Sequence, residues 1–249
     1  MSKSNLAVKE EMEEVVEEAI LPNATAKNNV RVMYNEKMKT KKKIIYKIIK
    51  RMIDIIGALI GTVLLIPVTI IIYFTRKFLK EEQGPLFYEQ LRYGKNGKIF
   101  RLYKYRSMCI GADEKLKEYL ANNEEARKEF KKTHKLQNDP RITKIGNFLR
   151  KTSLDELPQM INILKGDMSF VGPRPVIEKE VEEYGENKEK FLSVKPGLTG
   201  YWQVNGRSNT TYEERMEMEL YYVDNCSLWL DIRIFFKTFI TVFKKEGAV

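Results

Sequence analysis

The sequence predicts a small α+β domain seated on a membrane, and three observations predict it. A 23-residue run, Met52–Phe74, holds a single charge, Asp54. Two short β-like runs flank Gly94-Lys95-Asn96-Gly97, a hairpin signal. Helix-like stretches follow at 112–135, 157–164 and 221–245. A chain of 249 residues suffices for one ordinary domain with appendages, and 43% hydrophobic residues exclude both a disordered chain and a polytopic membrane protein. Two cysteines, Cys109 and Cys226, exclude a disulfide framework and a four-cysteine zinc site, and one histidine, His134, disfavours His-ligated metals and His-based triads. Any catalysis must rest on carboxylates, lysines and arginines.

Charge divides the chain into three segments. Residues 1–36 form an acidic and polar extension with four basic and seven acidic residues, in which Glu10 to Glu18 read as a short helix and Pro22-Asn23-Ala24-Thr25 as a loop. Residues 37–80 hold eleven basic residues and one acid, which equals the whole net excess of +10. Residues 81–249 are nearly balanced. A nucleic-acid binder would spread its cations over a folded face with aromatics between them. A basic collar around an apolar run instead points to anionic lipid head groups, so membrane lipid is expected as a partner and nucleic acid is not.

The apolar run is long enough for a hydrocarbon core of roughly 30 Å, and it starts too deep in the chain for a cleavable signal peptide. Both ends are basic, so the positive-inside rule favours the same side for each. Pro67 lies inside the run, removes a backbone donor and disfavours helical geometry at Ile66. A helix broken there could enter one leaflet and return. A kinked single-pass anchor fits the pattern equally well.

Beyond the anchor, Leu86-Phe87-Tyr88 and Ile99–Tyr105 read as paired strands, with at least one cation of the second facing inward. Residues 112–135 read as one or two exposed helices, Asn138–Arg141 as a turn, and Leu157–Leu164 as a helix. Asp155-Glu156 is the candidate catalytic pair. Ser153 with Glu156 also fits a capping box, in which the acids merely start a helix containing Pro158. The functional alternative is that a helix start attracts phosphate, so that one carboxylate attacks a phosphoryl group while its neighbour binds metal or moves a proton. In Gly172-Pro173-Arg174-Pro175 two prolines stiffen the loop around a guanidinium suited to phosphate, and Gly172 allows close backbone approach. Pro196–Arg207 is a second Gly-rich stretch with aromatics and amides. The tail places Leu228, Trp229, Ile232, Phe235, Phe236, Phe239, Ile240 and Phe243 on one face, either of a core helix or of a helix lying in the membrane interface.

Lys104-Tyr105-Arg106-Ser107-Met108, Thr152 to Gln159, Gly166 to Pro175 and Pro196 to Gly200 stand in the order and approximate spacing of a known family. Over about residues 44–246 the chain resembles the bacterial sugar transferases, or monotopic phosphoglycosyl transferases. The resemblance implies transfer of a sugar 1-phosphate from a UDP-sugar to polyprenyl phosphate, with release of UMP. It implies that Asp155 is the nucleophile of a covalent aspartyl-phosphosugar intermediate. Glu156 matches its partner, as metal ligand or as base. Lys104, Arg106, Arg150 and Arg174 match phosphate-binding positions, and Asp231 matches a further acid near the site. Mg²⁺, held by Asp155 and Glu156, is the implied cofactor.

The same resemblance favours the re-entrant helix broken at Ile66-Pro67, although relatives commonly carry Ser where Ile66 stands, which shifts the burden to donors such as Thr62 or Thr69. The expectation is therefore a monotopic protein with a re-entrant membrane helix, interfacial amphipathic helices and a small cytoplasmic catalytic domain, on the cytoplasmic face of a bacterial inner membrane. A hexose donor for capsule or exopolysaccharide initiation is preferred over an N-acetylated sugar. A homodimer is left open. A lipid-binding scaffold and an anchored phosphohydrolase are the rival readings.

Overall fold

The computed structural model describes residues 24–79, 84–133, 136–206 and 210–243. The acidic helix expected near residues 10–18, Pro22-Asn23, His134, Arg207 and the last six residues lie outside them. The chain divides into two units, Met1–Ile49 and Lys50–Val249. Helix α1 spans Ala24–Leu79, so Ala24 and Thr25 belong to a helix rather than to the expected loop.

Lys41–Leu79 is the one helix among the described residues that is long and apolar enough to cross a membrane. Helical backbone continues through Pro67, so the expected break at Ile66-Pro67 is not an interruption of α1. Pro67 withdraws one donor. Thr62 and Thr69, on either side of it, donate their hydroxyls to the carbonyls of Ala58 and Leu65 at 2.7 and 2.6 Å.

Within the second unit α1 buries one stripe, Asp54, Ala58, Leu65, Ile72 and Arg76. The spacing is that of a single helical face. Its other faces leave Ile56, Leu59, Ile60, Val63, Leu64, Ile66 and Ile71 exposed. Strands β1 (Phe87–Tyr93) and β2 (Ile99–Tyr105) form the expected hairpin, with Asn96 in left-handed conformation at its tip. Helices α2 (Ala112–Asn122) and α3 (Glu124–Thr133) are the charged pair the sequence suggests. Next come α4 (Lys144–Lys151), a 3₁₀ turn at Leu154–Glu156, α5 (Gln159–Lys165) and β3 (Ser169–Val171). Short helices α6 (Glu178–Glu182) and α7 (Lys188–Phe191) cross over to β4 (Gly197–Thr199), which pairs parallel to β3. Helices α8 (Tyr201–Asn205), α9 (Tyr212–Asn225) and α10 (Leu228–Phe243) complete the chain.

Two core clusters fasten α1 to this α+β domain. Ala58 packs with Phe100, Leu102, Met160, Ile163 and Met168, and Leu65 and Ile72 pack with Tyr105, Ile145 and Leu149. Polar ties add direction. Asp54 accepts from the Ser169 hydroxyl and the Phe170 amide, both at 2.9 Å. Arg51 donates to the carbonyls of Ile163 and Leu164 at the end of α5. A buried carboxylate with such donors is tolerated where an unpaired one would not be. Asp54, the only charge in the apolar run, is thus the point where the run grips the domain.

Helix α10 buries one narrow face and exposes a broad one. Asp231, Ile234 and Thr241 are buried, while Trp229, Phe236, Phe239 and Ile240 are exposed. Ile234 and Leu230 join the core with Val171, Val204 and Tyr222, while the large aromatic face points outward.

Candidate active site

The acidic pair sits in the 3₁₀ turn between α4 and α5. Ser153, just before it, has φ 58° and makes no side-chain cap. Pro158 stands at the N-cap of α5, also without a side-chain cap. The capping-box reading is therefore corrected: between the two residues only the Glu156 amide donates, to the Ser153 carbonyl at 3.3 Å, and the Glu156 carboxylate is engaged elsewhere. A left-handed non-glycine residue costs roughly 1–3 kcal/mol and clusters at functional sites.

Lys104 reaches the pair from β2. Phe100 and Leu102 are buried and Arg101 is exposed, so the alternation turns Lys104 inward and Arg101 outward to Glu89. Asn162 sets the register. Fully buried on α5, it accepts from the Tyr103 amide at 3.1 Å and donates to the Arg101 carbonyl at 2.7 Å, which fastens the helix that follows the acids to the strand that carries the lysine. The Lys104 Nζ lies 2.7 Å from Glu156 Oε1 and 3.9 Å from Asp155 Oδ2.

The neighbours are electrostatically unlike. Burial pushes the Asp155 carboxyl up to about 6, against the pull of Lys104 and with Glu156 repelling it further. Burial would also raise Glu156, but the Lys104 ion pair and hydrogen bond, Arg174 and Gln159 outweigh it and hold Glu156 below the usual carboxylate range. Arg150 faces Asp155 and Asp139 from α4 and donates from Nε to the Ser107 hydroxyl. Burial lowers its pKa, opposed by those two carboxylates.

Arg174 projects from the loop after β3. A Cβ on Gly172 would lie 2.4 Å from the Lys195 carbonyl, and one on Gly197 would lie 2.1 Å from the Gly172 amide. Only glycine lets the two Gly-rich loops touch, as the sequence suggested for Gly172. The guanidinium of Arg174 makes no hydrogen bond among the described residues and, with Glu156, lines a cleft of about 710 Å³. From there the cleft runs between Gly57, Gly61 and Leu64 of α1 and Phe235, Phe236 and Phe239 of α10. Its walls are mostly apolar and its acidic end is polar.

Lys104, Arg150 and Arg174 thus converge on Asp155 and Glu156, as the sequence suggested. Arg106 does not. It donates to the Pro85 carbonyl and lies over the Tyr88 ring at the base of the hairpin. Asp231 lines the cleft but is bound to Lys50 at 2.6 Å and to the Tyr222 hydroxyl at 2.7 Å. Sequence reasoning missed Asn162, Arg92 and Glu219. Asn162 lies in an apolar helix that could have drawn notice, whereas Glu219 is hidden among the other glutamates of α9. Among the described residues no group of three or more acids, cysteines or histidines gathers to hold a metal.

A family model for bacterial sugar transferases matches residues 45–245. Over 202 residues the chain is 48% identical to an uncharacterised sugar transferase of Haemophilus influenzae and 47% identical to the undecaprenyl-phosphate galactose phosphotransferase of Salmonella typhimurium. Each alignment covers 81% of this chain and 42% of the relative, so the chain spans less than half of their length. It is 42% identical to the exopolysaccharide production protein ExoY of Sinorhizobium fredii, over 80% of this chain and 87% of that relative.

Proposed function

The chain belongs to the bacterial sugar transferase family, and from that premise we propose that it transfers a sugar 1-phosphate from a UDP-sugar to polyprenyl phosphate at a membrane surface. The observation that carries the reading is the cleft. Glu156 and Arg174 line one end of it, with Asp155 and Lys104 directly behind Glu156, and an apolar channel between two outward-apolar helices leads away. The first suits a sugar nucleotide diphosphate and the second a prenyl chain.

In the first half-reaction an ionised Asp155 oxygen attacks the sugar-bearing phosphorus. The bond from that phosphorus to the bridging oxygen breaks, and UMP leaves with the electron pair. In the second, an oxygen of polyprenyl phosphate attacks the same phosphorus, the Asp155 acyl-phosphate bond breaks, and the carboxylate is restored beside a polyprenyl diphosphosugar. Lys104, Arg150 and Arg174 take up charge on the phosphoryl oxygens, and Glu156, held below the usual carboxylate range, serves beside them as metal ligand or as base. Two carboxylates without a third ligand suit Mg²⁺, which is commonly held by one or two carboxylates plus substrate phosphates. Bound by Asp155 and Glu156, it would neutralise phosphate charge.

The buried stripe of α1 supports a helix that does not cross. From Asp54 to Arg76 the domain lies along it for about 33 Å, so a perpendicular crossing would draw the polar site into hydrocarbon. Basic residues at both ends favour one side for each. We place α1 as a re-entrant helix that bends at Pro67 without losing its helical backbone, on the cytoplasmic face of the inner membrane, with α10 lying in the interface. The segments 1–36, 37–80 and 81–249 would then serve as extension, anchor and transferase domain. The donor we favour is a UDP-hexose, for capsule or exopolysaccharide initiation.

The test is UMP release by purified protein with Mg²⁺, polyprenyl phosphate and a panel of UDP-sugars, with an intact-mass search for an adduct on Asp155. Lipid-dependent release with one sugar, absent in Asp155→Asn, is the expected result. Full transfer by Asp155→Asn would refute the mechanism, and release of free sugar phosphate without lipid would make the protein a hydrolase.

A further inference from the structure

Pro173 and Pro175 have no N–H, so the Arg174 amide is the only main-chain donor in that tripeptide. It is spent on Glu219, whose carboxylate oxygens lie 3.1 and 3.2 Å from it. Glu219 comes from the middle of α9, 45 residues further along the chain, and has no exposed surface. The loop is gripped at two further points. The Pro173 carbonyl accepts from the Gly197 amide at 2.8 Å, and the Pro175 carbonyl accepts from Arg92 Nη1 at 3.0 Å. Glu180 joins Arg92 to Arg215, at 3.3 and 3.2 Å. The backbone of the loop is thus bound from three directions, while its guanidinium is left facing Glu156 and the cleft.

A buried carboxylate is a costly way to fill this space. Burial pushes Glu219 up to about 7, opposed by the Arg174 amide, Arg215 and the Arg174 guanidinium. An apolar side chain of similar volume would be cheaper to bury, but it would leave the Arg174 amide without an acceptor.

We propose that Glu219 is a positioning residue of the transfer reaction, acting through the main chain of Arg174 to hold its guanidinium at the phosphates of the sugar nucleotide. The role rests on the transferase reading above and adds a residue to it.

The test is a double-mutant cycle in the full chain, comparing wild type, Glu219→Gln, Arg174→Ala and the double variant in one detergent, with thermal melting to verify folding. Deuterium uptake by a peptide containing residues 173–175 reads the Arg174 amide directly, and Glu219→Gln should speed its exchange at least about tenfold. UMP release should show kcat/KM reduced roughly tenfold in Glu219→Gln, reduced further in Arg174→Ala, and no lower in the double variant than in Arg174→Ala. Such non-additivity marks residues that act as a unit, and a merely structural role would not produce it. Multiplying losses, or unchanged amide exchange in Glu219→Gln, would overturn the proposal. If Glu219→Gln does not fold, Glu219→Asp, which keeps the charge but withdraws it by one methylene, enters the same cycle. A wild-type protein that releases no UMP with any donor, yet protects the Arg174 amide, overturns the transferase reading and the role with it while the grip stands.

Discussion

At the Glu156 end of the cleft most of the functional groups are tied down. Lys104 is aligned by Asn162 and bound to Glu156, Arg150 is held by Ser107, and the Arg174 main chain is held by Glu219. At the other end, Phe236 and Phe239 of α10 and Leu64 of α1 line the walls with large exposed surfaces and few polar ties. Orientation matters where charge moves during a reaction, because fixed dipoles and charges need no reorganisation as it proceeds. A channel for a hydrocarbon chain needs only area, since the hydrophobic effect has no direction. The polar end should therefore respond steeply to single-atom changes, and the apolar end only to changes of character.

The steepest expected break is Asp155→Asn. UMP release should fall by at least about 10³-fold, measured with saturating donor and lipid. The same variant should be more stable than the parent. Because the folded pKa is raised, folding favours the protonated acid. The penalty is absent below pH 4, grows between about 4 and 6, and is complete above that. Asparagine removes it, so thermal melting at pH 7.5 should show a gain on the order of 1–3 kcal/mol. Lys104→Ala should come next, with kcat lower by roughly 10²-fold and a higher apparent pKa for the pair, read from the pH profile.

In the parent protein the acid limb of kcat/KM should lie near pH 6, with activity rising as Asp155 ionises. Raising Mg²⁺ should move that limb to lower pH if the cation is held by Asp155 and Glu156, since positive charge favours the carboxylate. A limb indifferent to Mg²⁺ would place the cation elsewhere. The mildest change is expected from Phe236→Asp at the apolar end. KM for the lipid acceptor should rise about three- to tenfold, while adduct formation on Asp155 without acceptor stays unchanged in an intact-mass assay.

Much of this was legible in the chain. Period-two alternation put at least one cation of the second strand inward, the Lys-Asn-Gly tip foretold the hairpin, and Gly172 foretold a close backbone approach. What escaped were contacts closed over long sequence distances. The Ser153–Glu156 spacing fits a capping box, yet the left-handed backbone at Ser153 and the pull of Lys104, 52 residues upstream, take Glu156 away from it. Arg106 stands two residues from Lys104, just past the run Ile99–Tyr105, and nothing local says that only one of them meets the acids. Glu219 has Glu213, Glu214 and Glu217 beside it on α9, and only burial distinguishes it from them.

The stripe that α1 presents to the domain has a practical consequence for anyone wishing to handle this protein in plain buffer. Deleting α1 would also delete the partner of Ser169, the C-terminal cap of α5 and one wall of the cleft. A water-soluble version would have to keep residues 50–79 and repaint their outer surface. Polar side chains at Ile56, Val63, Ile66 and Ile71 would replace the exposed apolar coat, with Asp54, Ala58, Leu65 and Ile72 left untouched.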